Sequence, residues 1–330
     1  MTIRELAQLA GVSASTVSKA LNDSYRDISE ETRERIRTIA LENNYYPNQV
    51  ASAMVRRRSQ NIALIIPNIS NPFFSEVAKG VTDYAYSMGI NAILCNTEDD
   101  VNRENKHLTS LAKGMVDGFI ITPTEARTTG YDGVVPASVP IVLLGCSIWM
   151  ERCYNTVRTD NVYGSLMAVE YLIEMGHRDI LYIGGSVNSM INRLRLDGYT
   201  AALEKHGIPI DPRRICLHKF QGETESRTIE NALDQGIPFT AVFCVNDIAA
   251  YAAMRTLKYR GLRVPEDISL VGFDDLPLTS DALGLTSVHQ PKYRMGHEAA
   301  KNLITLIEGG EVGDILLEPV LKKRSSVARI

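Results

Sequence analysis

Seven short apolar runs, separated by helix-like segments, dominate the chain after Asn61: 61–67, 90–95, 118–123, 140–145, 179–184, 240–245 and 268–272. A strand with one wet face alternates apolar and polar residues, so runs that are apolar throughout belong to strands covered on both faces, as in parallel sheets flanked by helices. The pattern predicts an α/β fold of doubly wound parallel sheets. At 330 residues the chain is too long for one core, since single cores stop growing near about 250–300 residues, and two to three lobes are expected. Ligands of such folds bind at the carboxyl ends of the strands. The residues after the runs are polar and aromatic: Asn68 to Phe74 after the first, then Ser147 to Trp149, Asn246-Asp247 and Phe273-Asp274-Asp275.

The segment before these runs has a different character. The whole chain carries net charge −4, but residues 1–58 hold nine Lys/Arg against seven Asp/Glu, and Arg56, Arg57 and Arg58 fall together at the boundary. A locally basic segment on an acidic body is the footprint of a phosphate-contacting module. Thr2-Ile3-Arg4-Glu5 has the form of a capping box, which starts a helix at Ile3. Leu6, Ala7 and Ala10 share its inner face, and Gly11 supplies the positive φ of a sharp turn. Ser13 caps a second helix over 14–21 with Val17, Ala20 and Leu21 inward and Ser15, Thr16, Ser18 and Lys19 outward. Ser29-Glu30-Glu31 opens a third, with Ile36, Ile39 and Ala40 buried. The result is an all-α helix-turn-helix unit. A three-helix protein-interaction domain is the competing reading, but hydroxyls and a lysine on the outer face suit base edges and phosphates better than an apolar partner.

No G-x-G-x-x-G or G-x-x-x-x-G-K-[ST] follows any run, so a glycine-rich phosphate loop is not supported. The six histidines are scattered without metal-ligand spacing or a nucleophile, and the adjacent carboxylates Asp274 and Asp275 point different ways from one strand end. Hydrogen bonding to ligand hydroxyls is expected of them rather than catalysis, with no catalytic residue, metal or cofactor. The cysteines, Cys95, Cys146, Cys153, Cys216 and Cys244, contain no C-x-x-C pair and read as reduced core residues. The longest apolar stretches fall far short of the roughly 18 residues of a membrane span, and a cytoplasmic protein is expected.

The runs Thr2 to Ala7 and Gly11 to Asn22, followed by Asn44-Tyr45-Tyr46-Pro47-Asn48, closely resemble the lac repressor and galactose repressor family. The resemblance implies that positions matching Ala14, Ser15 and Lys19 read bases in the major groove and that Thr16 and Asn22 hold phosphates, with Thr2 and Ser13 in the same DNA-binding set. Pro47 stops the preceding element and Asn48 can cap a helix of about two turns over 49–55. So short a helix is marginal alone. In the family, two such hinge helices pack over the minor groove and open it with the side chain at the position of Met54, an apolar wedge. Asn48 and Ala51 belong to the same hinge. A plain linker without DNA contacts is the alternative.

The remainder resembles the two-lobed periplasmic sugar-binding proteins, as the family's effector domain does. The implied organisation is a helix-turn-helix domain over 1–47, a hinge helix over 48–58 and an effector-binding domain over 59–330. Its lobes comprise about 59–160 with 291–319, and about 161–290 with 320–330, the chain crossing near Asp160, Gln290 and Pro319. By the resemblance Arg195 clamps the effector, Asn246 and Asp274 bind its hydroxyls, and Phe73 and Phe220 stack on its apolar faces, with Phe74 and Ser147 completing the set. Gly145 stands where relatives that bind simple sugars often have Asp. The expected effector is a sugar, sugar acid or sugar phosphate, and Trp149 either lines the cleft mouth or packs on its own lobe. Without a trailing heptad repeat a homodimer is expected, bound to a pseudo-palindromic operator. The implied function is a DNA-binding transcriptional regulator, a repressor of carbohydrate-utilisation genes. A solute-binding protein and a sugar kinase fused to a DNA-binding module are the rivals.

Overall fold

In the computed structural model, which describes residues 1–21, 28–46, 58–145, 154–217 and 224–330, the chain divides into two units, Met1–Gln60 and Asn61–Ile330. The first is built from local signals. Helix α1 (Ile3–Ala10) starts at the capping box: the Thr2 amide donates to Glu5 Oε2 at 2.7 Å and the Thr2 hydroxyl accepts from the Glu5 amide at 3.3 Å. Gly11 ends it at φ +63°, and the Val12 amide returns to Ala7 O at 3.0 Å, closing the helix as left-handed C-caps do. α2 (Ala14–Leu21) follows Ser13, and α3 (Glu30–Glu42) follows Ser29, whose hydroxyl accepts from the Thr32 amide at 3.3 Å. Leu6, Ala7, Ala10, Val17, Ala20, Ile36 and Ala40 form the core, with Leu21 and Ile39 partly buried at its rim.

In the second unit, five consecutive strands, β1 (Asn61–Ile66), β2 (Asn91–Asn96), β3 (Phe119–Ile121), β4 (Ile141–Leu144) and β5 (Asn155–Thr159), lie in one sheet. The next five, β6 (Ile180–Ile183), β7 (Ile215–Cys216), β8 (Ala241–Cys244), β9 (Ser269–Asp274) and β10 (Thr286–His289), lie in another. The chain then returns to the first sheet as β11 (Ile315–Leu317) and to the second as β12 (Val320–Lys322). The orders are β11-β5-β4-β3-β1-β2 and β12-β10-β9-β8-β6-β7. All pairings are parallel except β12, which runs antiparallel to β10 at the sheet edge, a common addition to otherwise parallel sheets. The passages from sheet to sheet run through Asp160, Gln290-Pro291 and Glu318-Pro319.

Both faces of each central strand are covered, which is why the apolar runs are unbroken. Ile62, Leu64 and Ile66 of β1 join one core, and Ala63 and Ile65 join the other. In the second lobe Ala241 and Phe243 of β8 face one core while Val242 and Cys244 face the opposite one. The first lobe is covered by α4 (Pro72–Ser87) and by α11 (Lys292–Ile307), the helix that follows the second passage. They meet at two glycines. A Cβ on Gly80 would stand 2.1 Å from Tyr293 O, and one on Gly296 would stand 2.0 Å from Val77 O, so only glycine permits this backbone approach. The covering helices of the second lobe include α6 (Asn161–Glu174), α7 (Met190–Lys205), α8 (Thr224–Asp234) and α9 (Asp247–Tyr259), while α5 (Val101–Leu111) covers the far face of lobe one and α10 (Pro277–Leu283) follows β9. Cys95 and Cys244 are buried and Cys216 half-buried, all with free thiols; Cys146 and Cys153 lie outside the described residues. Among the described residues no helix is long and apolar enough to cross a membrane.

Candidate functional site

On the first unit the outer surface of α2 begins with three linked hydroxyls. Ser13 Oγ lies 2.8 Å from both Ser15 Oγ and Thr16 Oγ1, and accepts from the Thr16 amide at 3.1 Å. The cap thus satisfies a helix-end amide and fixes the rotamers of two exposed or half-exposed side chains. Lys19 is exposed one turn further on. Thr2, the cap of α1, is exposed as well. This surface offers donors and acceptors at a positive helix end plus a cation, the chemistry that phosphates and base edges accept. Asn22, Asn48, Ala51 and Met54, with the expected hinge helix up to Arg57, lie outside the described residues.

In the second unit, the strand ends of lobe two bring expected residues together. Arg195 projects from α7 with 5% of its surface exposed. Its Nε donates to Asn161 Oδ1 at 2.8 Å, its Nη1 donates to Val245 O, and its Nη2 lies 3.5 Å from Asp274 Oδ1. Its Cζ stands 3.6 Å over the Phe273 ring, so the guanidinium is stacked as well as bonded. Asp274 accepts from Gln290 Nε2 at 2.7 Å. Burial pulls the Arg195 guanidinium below its ordinary value and lifts the Asp274 carboxyl above its own, while their mutual attraction opposes both shifts. Asn246 caps α9, its side-chain oxygen accepting from the Ala249 amide at 2.8 Å, a bond that does not use its NH2 group.

Asp275 diverges from Asp274, as adjacent residues at a strand end should. Its carboxylate takes His289 Nδ1 at 3.0 Å and Arg324 Nη2 at 2.7 Å. Burial lifts its pKa, but these hydrogen bonds and charges outweigh that and hold it below the ordinary value. Behind the site, Asp247 accepts from the Leu276 amide at 2.7 Å and the Thr279 and Ser287 hydroxyls at 2.8 and 2.6 Å. Burial, with the neighbouring Asp274 charge, still pushes its carboxyl up to about 7.

In lobe one, Phe73 is half-buried at the start of α4 and meets Phe74 edge-on at 5.1 Å. Phe74 is 7% exposed and belongs to the hydrophobic core, which leaves it little surface for a ligand. The Thr122 hydroxyl at the end of β3 is buried without a hydrogen-bond partner among the described residues. The loop that follows is held by a buried ion pair, Arg127 Nε with Glu104 Oε1, and by the Thr124 amide on Glu104 Oε2 at 2.8 Å. Gly145 has φ +85°, a conformation in which a side chain would be strained. Ser147, Trp149 and Phe220 lie outside the described residues.

Sequence reasoning did not single out Asn161, Phe273 as the guanidinium's platform, or Lys292. The Lys292 ammonium, 1% exposed, donates to Asp274 O at 2.7 Å and Asp275 O at 3.1 Å and lies 3.6 Å from Glu76 of α4. A lysine opening a helix looks like a surface residue, so no local pattern marks it. A cavity of about 220 Å³ beside Pro140, Ile141 and Asn155 sits at the opposite, amino ends of β4 and β5 and contains none of the expected residues.

Comparison with known proteins places this geometry. Residues 2–48 match the profile of bacterial regulatory proteins of the lacI family, and residues 169–327 match that of a periplasmic binding protein-like domain. The chain is 32% identical over 332 residues to the HTH-type transcriptional repressor PurR of Haemophilus influenzae, covering 98% of each chain. Among solved structures it is similar to the lac repressor dimer bound to operator and the anti-inducer ONPF, with TM-score 0.86, 27% identity and 99% of each chain covered. It is also similar to a transcriptional regulator CelR-cellobiose complex, with TM-score 0.74, 30% identity and 99% coverage of each.

Proposed function

Since the chain belongs to the lacI family of bacterial regulatory proteins, we propose that it represses carbohydrate-utilisation genes and answers to a sugar or sugar acid held at the strand ends around Arg195 and Asp274. The DNA reader occupies 1–47, the hinge 48–58 and the effector body 59–330. Ser15 and Lys19 read bases; Thr2, Ser13, Thr16 and Asn22 hold the backbone; Asn48, Ala51 and Met54 engage the minor groove. The observation that carries the effector reading is the buried Arg195–Asp274 pair, whose remaining N–H groups and carboxylate oxygen suit ligand hydroxyls. A structural relative solved as a cellobiose complex supports a sugar. Phe73, Asn246 and, from the segments not described, Ser147 and Phe220 complete the site, with Phe74 behind Phe73.

The protein acts as a homodimer in the cytoplasm. Exposed Tyr86, Met88, Leu94 and Met115 on lobe one and Ile248, Tyr251 and Leu278 on lobe two supply apolar surface for a second copy. Dimerisation converts one half-site reader into a two-fold reader of a pseudo-palindrome.

Selection of binding sites from random duplexes with the full chain should return a two-fold symmetric operator. A thermal-shift panel of neutral sugars, sugar acids, sugar phosphates and purine bases should return a ligand that also changes operator affinity, since a ligand at 100 times its Kd adds about 2.7 kcal/mol to the folded state. Selected sites without symmetry would remove the dimeric reader. A panel in which only purines bind would move the regulator out of carbohydrate control.

A further inference from the structure

We propose that Lys292 is a positioning residue for the effector site: its ammonium clasps the Asp274-Asp275 turn in the conformation that presents the Asp274 carboxylate, and ties that turn to lobe one through Glu76. The inference rests on reading these strand ends as the effector site.

Lys292 opens α11, a helix packed on lobe one, yet its Nζ sits on two lobe-two carbonyls, Asp274 O at 2.7 Å and Asp275 O at 3.1 Å. The turn it holds is unusual. Asp274 has φ +106° and Asp275 φ +54°, two successive residues with side chains in a region that favours glycine. Such a conformation persists only where its surroundings over-determine it. Here the other groups of the turn are also engaged. The Asp275 amide donates to Ser287 Oγ at 3.1 Å and the Leu276 amide to Asp247 Oδ2 at 2.7 Å. The Asp275 carboxylate is taken by His289 and Arg324, and that of Asp274 by Gln290 and Arg195. The two carbonyl oxygens of the turn are both satisfied by one buried cation.

The passage between lobes therefore delivers three side chains to one turn: His289 to the Asp275 carboxylate, Gln290 to that of Asp274, and Lys292 to both carbonyls. A buried ammonium is costly unless bonded and paired. Glu76 at 3.6 Å, one turn after Phe73 on α4, provides the countercharge from lobe one. A change in the distance between the lobes consequently reaches Asp274 through one side chain.

The test uses the full chain without ligand. In Lys292→Met, which keeps most of the packing volume and removes the cation, amide exchange at Asp275 and Leu276 should accelerate about tenfold or more, because protection there reports local opening, while β8 amides keep their rates. Rates within about twofold of the wild type would overturn the clasp. Carboxyl carbon resonances distinguish positioning from packing: loss of the nearby cation should move the Asp274 titration to higher pH, and an unmoved titration would reduce Lys292 to filler. If the variant does not fold, the wild-type Lys292 ammonium is observed directly by nitrogen resonance. Slow proton exchange is expected, and rapid exchange would sink the proposal. A chain that bound none of the sugars, acids, phosphates or purines of the panel, yet gave these exchange changes, would lose the effector reading and keep the clasp.

Discussion

Arg195 Nη2 lies 3.5 Å from Asp274 Oδ1, both side chains being 6% exposed, and the same carboxylate oxygen accepts from Gln290. Deleting one member of such a pair strands the other charge in the interior, a loss of about 3–5 kcal/mol. Arg195→Ala should lower the melting temperature and abolish the ligand response, while operator binding by the folded fraction persists. Arg195→Lys should not rescue it, because a point charge cannot reproduce the bonds to Asn161 and Val245 together with the stack on Phe273. A full ligand response in either variant would remove Arg195 from the site.

The crossing of α4 and α11 leaves no room for a methyl group at Gly80 or Gly296, where the obstructing atoms are backbone. Gly80→Ala and Gly296→Ala should each destabilise the second unit by about 1–3 kcal/mol or more through overpacking. Chemical denaturation followed by tyrosine fluorescence measures it, and unchanged midpoints would contradict the close approach.

Asp247 makes the protein's stability pH-dependent. Its carboxyl is held up to about 7 in the fold against an ordinary value of 3.8. An acid whose folded pKa is raised contributes stability that is full below the unfolded value and is lost as pH rises through the folded one. The melting temperature should therefore fall between pH 4 and pH 8, with a loss of about 1.4 kcal/mol for every tenfold by which the folded carboxyl holds its proton more tightly than the unfolded one. In Asp247→Asn that portion of the decline should vanish. Equal slopes in calorimetry of the two proteins would contradict a protonated Asp247.

Ser13 and Lys19 should separate folding from DNA contact. Ser13→Ala loses the α2 cap and the hydroxyl links to Ser15 and Thr16, which should cost the first unit about 1 kcal/mol and weaken operator binding. Lys19→Ala should leave helicity intact. If Lys19 reads a base, specificity at one operator position relaxes; if it holds a phosphate, the salt dependence of binding falls by about one unit for every sequence. Anisotropy titrations across salt concentrations, with selected and mutated operators, decide between them. Unaltered binding in both variants would detach α2 from DNA.

The helix-turn-helix was legible because its determinants act over three or four residues: Thr2 with Glu5, Ser13 with Thr16, Ser29 with Thr32, and Gly11 at the turn. The parallel sheets were legible because strands such as β1 and β8 are buried on both faces and must be apolar throughout. The short strands β5, β7, β10, β11 and β12 gave no comparable signal. β5 and β10 mix polar with apolar residues, and β7, β11 and β12 are two- or three-residue pieces at sheet edges, so no unbroken apolar run marks them.

Asn246 and Asp274 stood out in advance as polar residues after a strand, with hydrogen bonding to ligand hydroxyls expected of Asp274, but Arg195, inside a helix, could be named only through resemblance to a family. Their surroundings were decided by tertiary structure alone. Lys292 opens a helix as many surface lysines do, and Glu104 sits in a helical first turn where an exposed carboxylate is ordinary. Each is buried because segments distant in sequence converge on it: Asp274, Asp275 and Glu76 around Lys292, and Thr124 and Arg127 around Glu104. Sequence by itself determined which residues must leave water and where helices begin. Which charges could follow them inside depended on partners that only the folded chain brings within bonding distance, because a buried charge is tolerable only where such partners already stand.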